Sequence, residues 1–262
     1  MEKLLLWDNI PGTFTEEPAL YYYPTEKRKS DGAVVIFPGG AYVGHAQHEG
    51  QGYAEYLNSL GIDAFVCPYR CTPHYFPLPL LDARRAVRYV RTNAGKYGID
   101  PTKIAVMGSS AGGHLAALIS TYTAPIAFED MDEIDKADCM PNASILCYPV
   151  IHFPDTTGVS HYGSYYNLLG EEKLDLAPSL SPDLLVKDNT PPAFIWHTAE
   201  DTGVNVINSY LYATSLREHN VPCEMHIFPY GRHGLGLAEE VPHTAQWSGL
   251  LKNWFIQMGW LK

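Results

Sequence analysis

Residues 104–114 read Ile-Ala-Val-Met-Gly-Ser-Ser-Ala-Gly-Gly-His, an apolar strand that runs through Gly-x-Ser-x-Gly into a helix-forming stretch. A serine at the tip of such a strand-to-helix turn presents its hydroxyl as a nucleophile, with Gly108 and Gly112 keeping Cβ atoms out of the crowded backbone. A hydroxyl attacks poorly until an imidazole takes its proton, and the imidazole needs a carboxylate to fix its tautomer. Two later loops supply those groups. Thr198-Ala-Glu-Asp201 follows one apolar run and Pro229-Tyr-Gly-Arg-His-Gly234 follows another. Ser110, Asp201 and His233 therefore come in the chain order nucleophile, acid, base. The chemistry this predicts is acyl transfer through a covalent ester on Ser110.

A tetrahedral intermediate needs two convergent backbone N–H donors for its oxyanion. Pro38-Gly-Gly-Ala-Tyr42 allows close main-chain approach, so one donor is assigned to Gly40 or Ala41 and the second to Ala111, directly after the nucleophile. Glu200 competes with Asp201 for the acid role. Asp201 is preferred because the turn begins there and Gly203 leaves room around it. His226 and His243 flank His233 as alternative bases, but His233 lies in a Gly-flanked loop after the last apolar strand. His114 reads as a helix residue hydrogen-bonded beneath the oxyanion loop. His45-x-x-His48-Glu49 lacks the glutamate placement of a His-Glu-x-x-His zinc site, so it is expected to pack beside Gly39 and Gly40 and hold that loop. Cys67 and Cys71 read as buried or loop thiols. Neither a metal nor a cofactor is expected.

These groups require a frame. Apolar runs at Ala33–Phe37, Ala64–Cys67, Ile104–Met107, Ser144–Cys147, Ala193–His197 and Cys223–Phe228 read as strands. Helix-like stretches lie between them at Leu78–Lys96, Ala111–Thr121, Val204–His219 and Pro242–Met258. Such alternation predicts a mostly parallel sheet covered on both faces, with ligands beyond the carboxyl ends of the strands after Phe37, Met107, His197 and Phe228. The stretch Glu129–Asp138 carries six carboxylates against one lysine. It reads as a solvated excursion, with a lid over the site, spanning residues 124–143, as the alternative.

With 262 residues and 46% hydrophobic composition, the chain is expected to form a single domain over residues 1–262. A formal charge of −11 without a basic cluster argues against nucleic acid and anionic lipid partners and favours neutral substrates. Five cysteines without a CxxC pair, and an N-terminus without a basic region followed by an apolar core, predict a cytoplasmic location with reduced thiols. No oligomeric state follows from these features.

Beyond these local readings, the chain resembles the compact esterase branch of the α/β-hydrolase superfamily that contains bacterial acetyl-xylan and feruloyl-type carbohydrate esterases. The resemblance rests on Pro38-Gly-Gly-Ala-Tyr42, His48-Glu-Gly50, Tyr69-Arg70, Leu81-Asp-Ala-Arg84, Gly108-Ser-Ser-Ala-Gly-Gly-His-Leu115, Tyr148-Pro-Val150, Asn167-Leu-Leu-Gly170, Trp196-His-Thr-Ala199 and Gly231-Arg-His-Gly-Leu-Gly236. Pro38 stands where many relatives have His, Glu200 where they usually have a first Asp, and Asn205 where Pro is common. The resemblance implies an α/β-hydrolase fold and places Ser110, Asp201 and His233 in the triad. It also implies a serine carboxylesterase that removes acetyl groups from small O-acetylated carbohydrates such as xylo-oligosaccharides. Feruloyl or general short-chain esterase activity is the nearest alternative, with serine peptidase, thioesterase and arylformamidase sharing the same machinery. Sugar rings pack on aromatic faces, and Tyr42 and Tyr69, beside the oxyanion loop and a strand end, are expected to border the cleft.

Overall fold

The computed structural model describes residues 1–153 and 158–261. Eight strands form one sheet in the order β1-β2-β4-β3-β5-β6-β7-β8. These are β1 (Glu2–Leu5), β2 (Ala19–Tyr23), β3 (Ala33–Phe37), β4 (Asp63–Val66), β5 (Ile104–Ser109), β6 (Ala143–Cys147), β7 (Ala193–Thr198) and β8 (Cys223–Phe228). From β4 to β8 every pairing is parallel. The two N-terminal strands add an antiparallel edge that the sequence reading did not anticipate. They are short, and the tyrosines of β2 are only partly apolar, so neither makes an unbroken hydrophobic run.

Alternation along each central strand sends successive side chains into two cores. Val35, Phe37, Val106, Leu146 and Ile195 join one face, while Val34, Ile36, Met107, Ile145 and Trp196 join the other. Helices α2 (Leu78–Thr92), α4 (Ser110–Thr121) and α6 (Ile207–Glu218) cover the first face. Helices α1 (Gln47–Leu60) and α7 (Trp247–Gln257) cover the second, where the rings of Trp196 and Trp247 stack with centroids 4.8 Å apart. The mostly parallel sheet covered on both faces is the one the alternating pattern predicts, and its arrangement is the α/β-hydrolase fold that the resemblance implies.

Local chemistry sets several boundaries. The expected helix over Leu78–Lys96 breaks at Asn93, whose side-chain amide donates to Tyr89 O at 2.9 Å, and resumes as the short α3 (Ala94–Tyr97). Helix α6 starts three residues later than expected because Val204 N–H is committed to the Asp201 carboxylate. Between β6 and β7 lies α5 (Tyr162–Leu169), followed by 3-10 turns over Glu171–Leu180 and Pro182–Leu184. No helix among the described residues is long and apolar enough to cross a membrane.

Candidate active site

Strand β5 ends at Ser109 and α4 begins at Ser110, whose φ of 53° is strained for a residue with a side chain. The turn is possible because α4 lies directly on β3: a Cβ on Gly112 would stand 2.0 Å from Phe37 O. The Ser110 hydroxyl donates to His233 Nε2 at 2.8 Å, and His233 Nδ1 donates to Asp201 Oδ2 at 2.7 Å. An ionised carboxylate only accepts, so Nδ1 carries the proton and Nε2 is left basic towards Ser110. Three loops from the carboxyl ends of β5, β7 and β8 thus converge on one proton path.

Asp201 is held from four sides. Its Oδ1 accepts the N–H groups of Gly203 and Val204 at 2.8 and 2.9 Å, and Oδ2 also receives His197 Nε2 at 3.2 Å. His197 is itself oriented by Ser209 Oγ, 2.8 Å from its Nδ1. Burial alone would raise the Asp201 pKa. The hydrogen bonds from His197 and His233, the imidazole charge and the Val204 N–H outweigh it and hold the carboxyl well below the usual carboxylate range. Glu200 points elsewhere and accepts Gly231 N–H at 2.8 Å, which anchors the loop that carries His233. His226 pairs with Glu224 at 2.8 Å and His243 packs on Phe228, so neither reaches Ser110.

The loop after β3 runs through three positive φ values, 140° at Gly40, 51° at Ala41 and 60° at Tyr42. Only glycine fits the first, since a Cβ there would lie 2.2 Å from Gly44 O. The N–H groups of Gly40 and Ala41 have no acceptor among the described residues. Ala111 is the second residue of α4, where a backbone N–H has no intrahelical partner and the helix dipole is positive. The three expected oxyanion donors are therefore uncommitted on the segments that flank Ser110.

A buried carboxylate shapes that loop. Glu49, 2% exposed, accepts Gly39 N–H at 2.8 Å with Oε2 and the Tyr148 hydroxyl at 2.7 Å with Oε1. Tyr148 in turn accepts Gly236 N–H at 2.9 Å, and Tyr53 links it to Ser109 through contacts of 3.2 and 2.8 Å. His48 Nε2 donates to Gly234 O at 3.0 Å. The His48-Glu49 segment thus holds the Gly39 loop, as expected, and also ties it to the His233 loop. His45 instead meets Cys71 Sγ at 3.4 Å. Burial pushes the Cys71 thiol up to about 12 and keeps the wholly buried Cys67 protonated as well.

Two expectations need revision. Tyr42 and Tyr69 offer no ring face to a sugar, for both are fully buried. Tyr42 donates to His114 Nδ1 at 2.7 Å and Tyr69 donates to Pro38 O at 2.9 Å, so each supports the oxyanion loop from below. The acidic stretch is neither a lid nor simply solvated: Glu129 pairs with Arg84 at 2.7 Å, and Asp132 and Asp135 pair with Arg85 at 2.6 and 2.9 Å. These arginines sit on α2, and Arg84 also binds Tyr122 O just past the end of α4, the opposite end from Ser110. His114 is hydrogen-bonded beneath the loop as read, with Nε2 donating to Leu180 O at 2.8 Å, and burial lowers its pKa to about 4.

Sequence reasoning missed Tyr148, although it follows β6 and the strand-end rule that found the other groups applies to it equally. It also missed α5. At its N-terminal end, His161 Nδ1 accepts Ser164 N–H at 3.2 Å and burial lowers the His161 pKa; near its other end, Asn167 Nδ2 donates to Ala41 O at 2.8 Å. Helix α5 is thereby bonded to the oxyanion loop. With a polarised hydroxyl, an oriented imidazole and free N–H donors together, the arrangement can carry out nucleophilic acyl transfer.

Comparison with known proteins agrees with this fold. The chain is similar to the crystal structure of an acetyl ester-xyloside bifunctional hydrolase from Caldicellulosiruptor lactoaceticus, with 42% identity and a TM-score of 0.92 over 100% of this chain and 97% of that one. It is 38% identical over 247 residues to endo-1,4-beta-xylanase B of Butyrivibrio fibrisolvens, covering 92% of this chain and 38% of that protein. It is 34% identical over 228 residues to an acetylxylan esterase of Xylanibacter ruminicola, covering 85% of this chain and 45% of that protein. The chain thus spans less than half the length of these two curated relatives. The profile of the BD-FAE family matches residues 20–216, from β2 through most of α6, and on that match the chain belongs to the BD-FAE family of α/β-hydrolases.

Proposed function

We propose that this protein is a serine carboxylesterase that removes acetyl groups from O-acetylated xylo-oligosaccharides. The observation that carries the reading is the continuous proton path from Ser110 through His233 to Asp201. In the proposed cycle His233 takes the Ser110 proton as Oγ attacks the acetyl carbonyl, and the N–H groups of Gly40, Ala41 and Ala111 receive the oxyanion. His233 then protonates the departing sugar hydroxyl, leaving an acetyl ester on Ser110. Water, deprotonated by the same imidazole, attacks that ester and releases acetate.

The substrate class draws on the relatives, two of which are described as acting on acetyl ester and xyloside or on acetylxylan. Five unpaired cysteines support action in a reducing compartment, on fragments small enough to be imported. The test is acetate release from acetylated xylo-oligosaccharides, set against butyryl, feruloyl and acetyl-peptide substrates. Loss of release by at least about 10³-fold in Ser110→Ala is expected. Equal turnover of feruloyl esters would overturn the acetyl preference.

A further inference from the structure

We propose that the open cleft between Tyr75 and Tyr166 is a glycan subsite that holds the xylose units flanking the acetylated one. The inference rests on the carbohydrate-esterase reading above and supplies the sugar-binding surface that Tyr42 and Tyr69, being buried, cannot provide. The cleft has a volume of about 590 Å³ and lies between α5 and the following turn on one side and residues 72–75 on the other.

Its position comes from hydrogen bonds. Asn167, in its wall, donates to Ala41 O at 2.8 Å, and the backbone N–H of Thr72, also in its wall, donates to Tyr42 O at 2.8 Å. Both walls are therefore bonded to the loop that carries the proposed oxyanion donors. An oligosaccharide presenting its acetyl group to Ser110 would then lay neighbouring units along these walls.

Its chemistry suits a neutral polyol. Tyr75 and Tyr166 are 39% and 45% exposed, so each leaves part of its ring open to a ligand in the cleft. Both are held before any ligand arrives: the Tyr75 ring lies against Gly170, 3.4 Å from where a Cβ would stand, and Tyr166 packs on Tyr165 with ring centroids 5.1 Å apart. Fixed aromatic faces take the C–H faces of pyranose rings at little entropic cost. Glu171 and Glu172 beside them supply hydroxyl acceptors, and Lys173, which donates to Phe76 O at 2.8 Å, supplies a donor.

The test compares Tyr75→Ala, Tyr166→Ala and Tyr166→Trp with the unaltered protein on acetylated xylo-oligosaccharides and on 4-nitrophenyl acetate, together with calorimetric titration of unacetylated xylotetraose. For either alanine variant we expect the ratio of kcat/KM on the oligosaccharide to that on the aryl ester to fall about tenfold, through KM, with matching loss of xylotetraose affinity. Tyr166→Trp should restore the ratio. Equal losses on both esters, or none, would overturn the subsite. If the unaltered protein deacetylates the oligosaccharide while the variants keep its ratio, the esterase reading survives and the subsite fails. Tyrosine-dependent xylotetraose binding without deacetylation would keep the subsite and sink the esterase reading; neither binding nor deacetylation would remove both.

Discussion

The Glu49 carboxylate and the Tyr148 hydroxyl meet at 2.7 Å and together bind one backbone N–H from each of two loops, Gly39 on the oxyanion side and Gly236 on the base side. The pair thereby couples the segments that must stay in register around Ser110. Glu49→Gln keeps the volume, but its amide can accept from only one of its two donors and turns N–H groups towards the other. Leaving one buried polar group unmatched costs about 1–3 kcal/mol. We expect a lower Tm, and a kcat loss that persists at temperatures where circular dichroism shows the variant folded. Full kcat in folded Glu49→Gln would show that the loop holds itself.

Asp201→Asn tests the tautomer. The amide oxygen can still accept the N–H groups of Gly203 and Val204, which turns the amide nitrogen towards His233 and His197. His233 Nδ1 then has a donor opposite it, so the proton moves to Nε2 and the imidazole cannot deprotonate Ser110. By analogy with serine proteases, kcat on aryl acetates should fall by up to about 10⁴. A loss of less than tenfold would remove Asp201 from the proposed triad.

Gly203→Ala tests how tightly the base is packed. The new Cβ would stand 2.8 Å from His233 Cβ, an atom close to the backbone that cannot rotate away. The imidazole must shift by a few tenths of an ångström, and misplacement on the ångström scale costs on the order of 10²-fold in rate. We expect kcat to drop by about tenfold with a small change in Tm; unchanged kcat would show that the loop absorbs the shift.

Acid stability should depend on His114. Burial lowers its folded pKa from 6.5 to about 4, so the unfolded chain binds the extra proton over that interval. Stability is therefore full above about pH 6.5 and falls as the pH drops towards about 4, by about 3 kcal/mol in total. His114→Asn should flatten the dependence of Tm on pH in this window even if it lowers Tm overall. An unchanged slope would place the proton uptake elsewhere.

Asp135→Asn tests the structural role of the acidic stretch. Arg85 is almost fully buried, and Asp135 meets it at 2.9 Å. Breaking a buried pair from one side costs about 3–5 kcal/mol, to the extent that Asp132 does not compensate. Tm should fall while KM for acetylated oligosaccharides stays within about twofold of the original. A large change in KM would mean that the acidic stretch reaches the substrate.

Periodicity and motif order were enough to read the parallel sheet, its covering helices and the Ser110, Asp201 and His233 constellation from sequence. Those features are local: a buried strand announces itself by an unbroken apolar run, and its end marks where a loop must begin. The His48-Glu49 segment was legible for the same reason, since it adjoins the loop it supports. The support of Tyr148 for both loops and the bond from α5 to the oxyanion loop join residues 88 to 126 positions apart, whereas the second imidazole on Asp201 is only four residues away and reaches it because the turn after β7 folds back. Tyr42 and Tyr69 show the limit most clearly. Position beside a site is a sequence property, but whether a tyrosine faces solvent or packs under the backbone depends on which neighbours fill the space around it, and only the tertiary structure decided that.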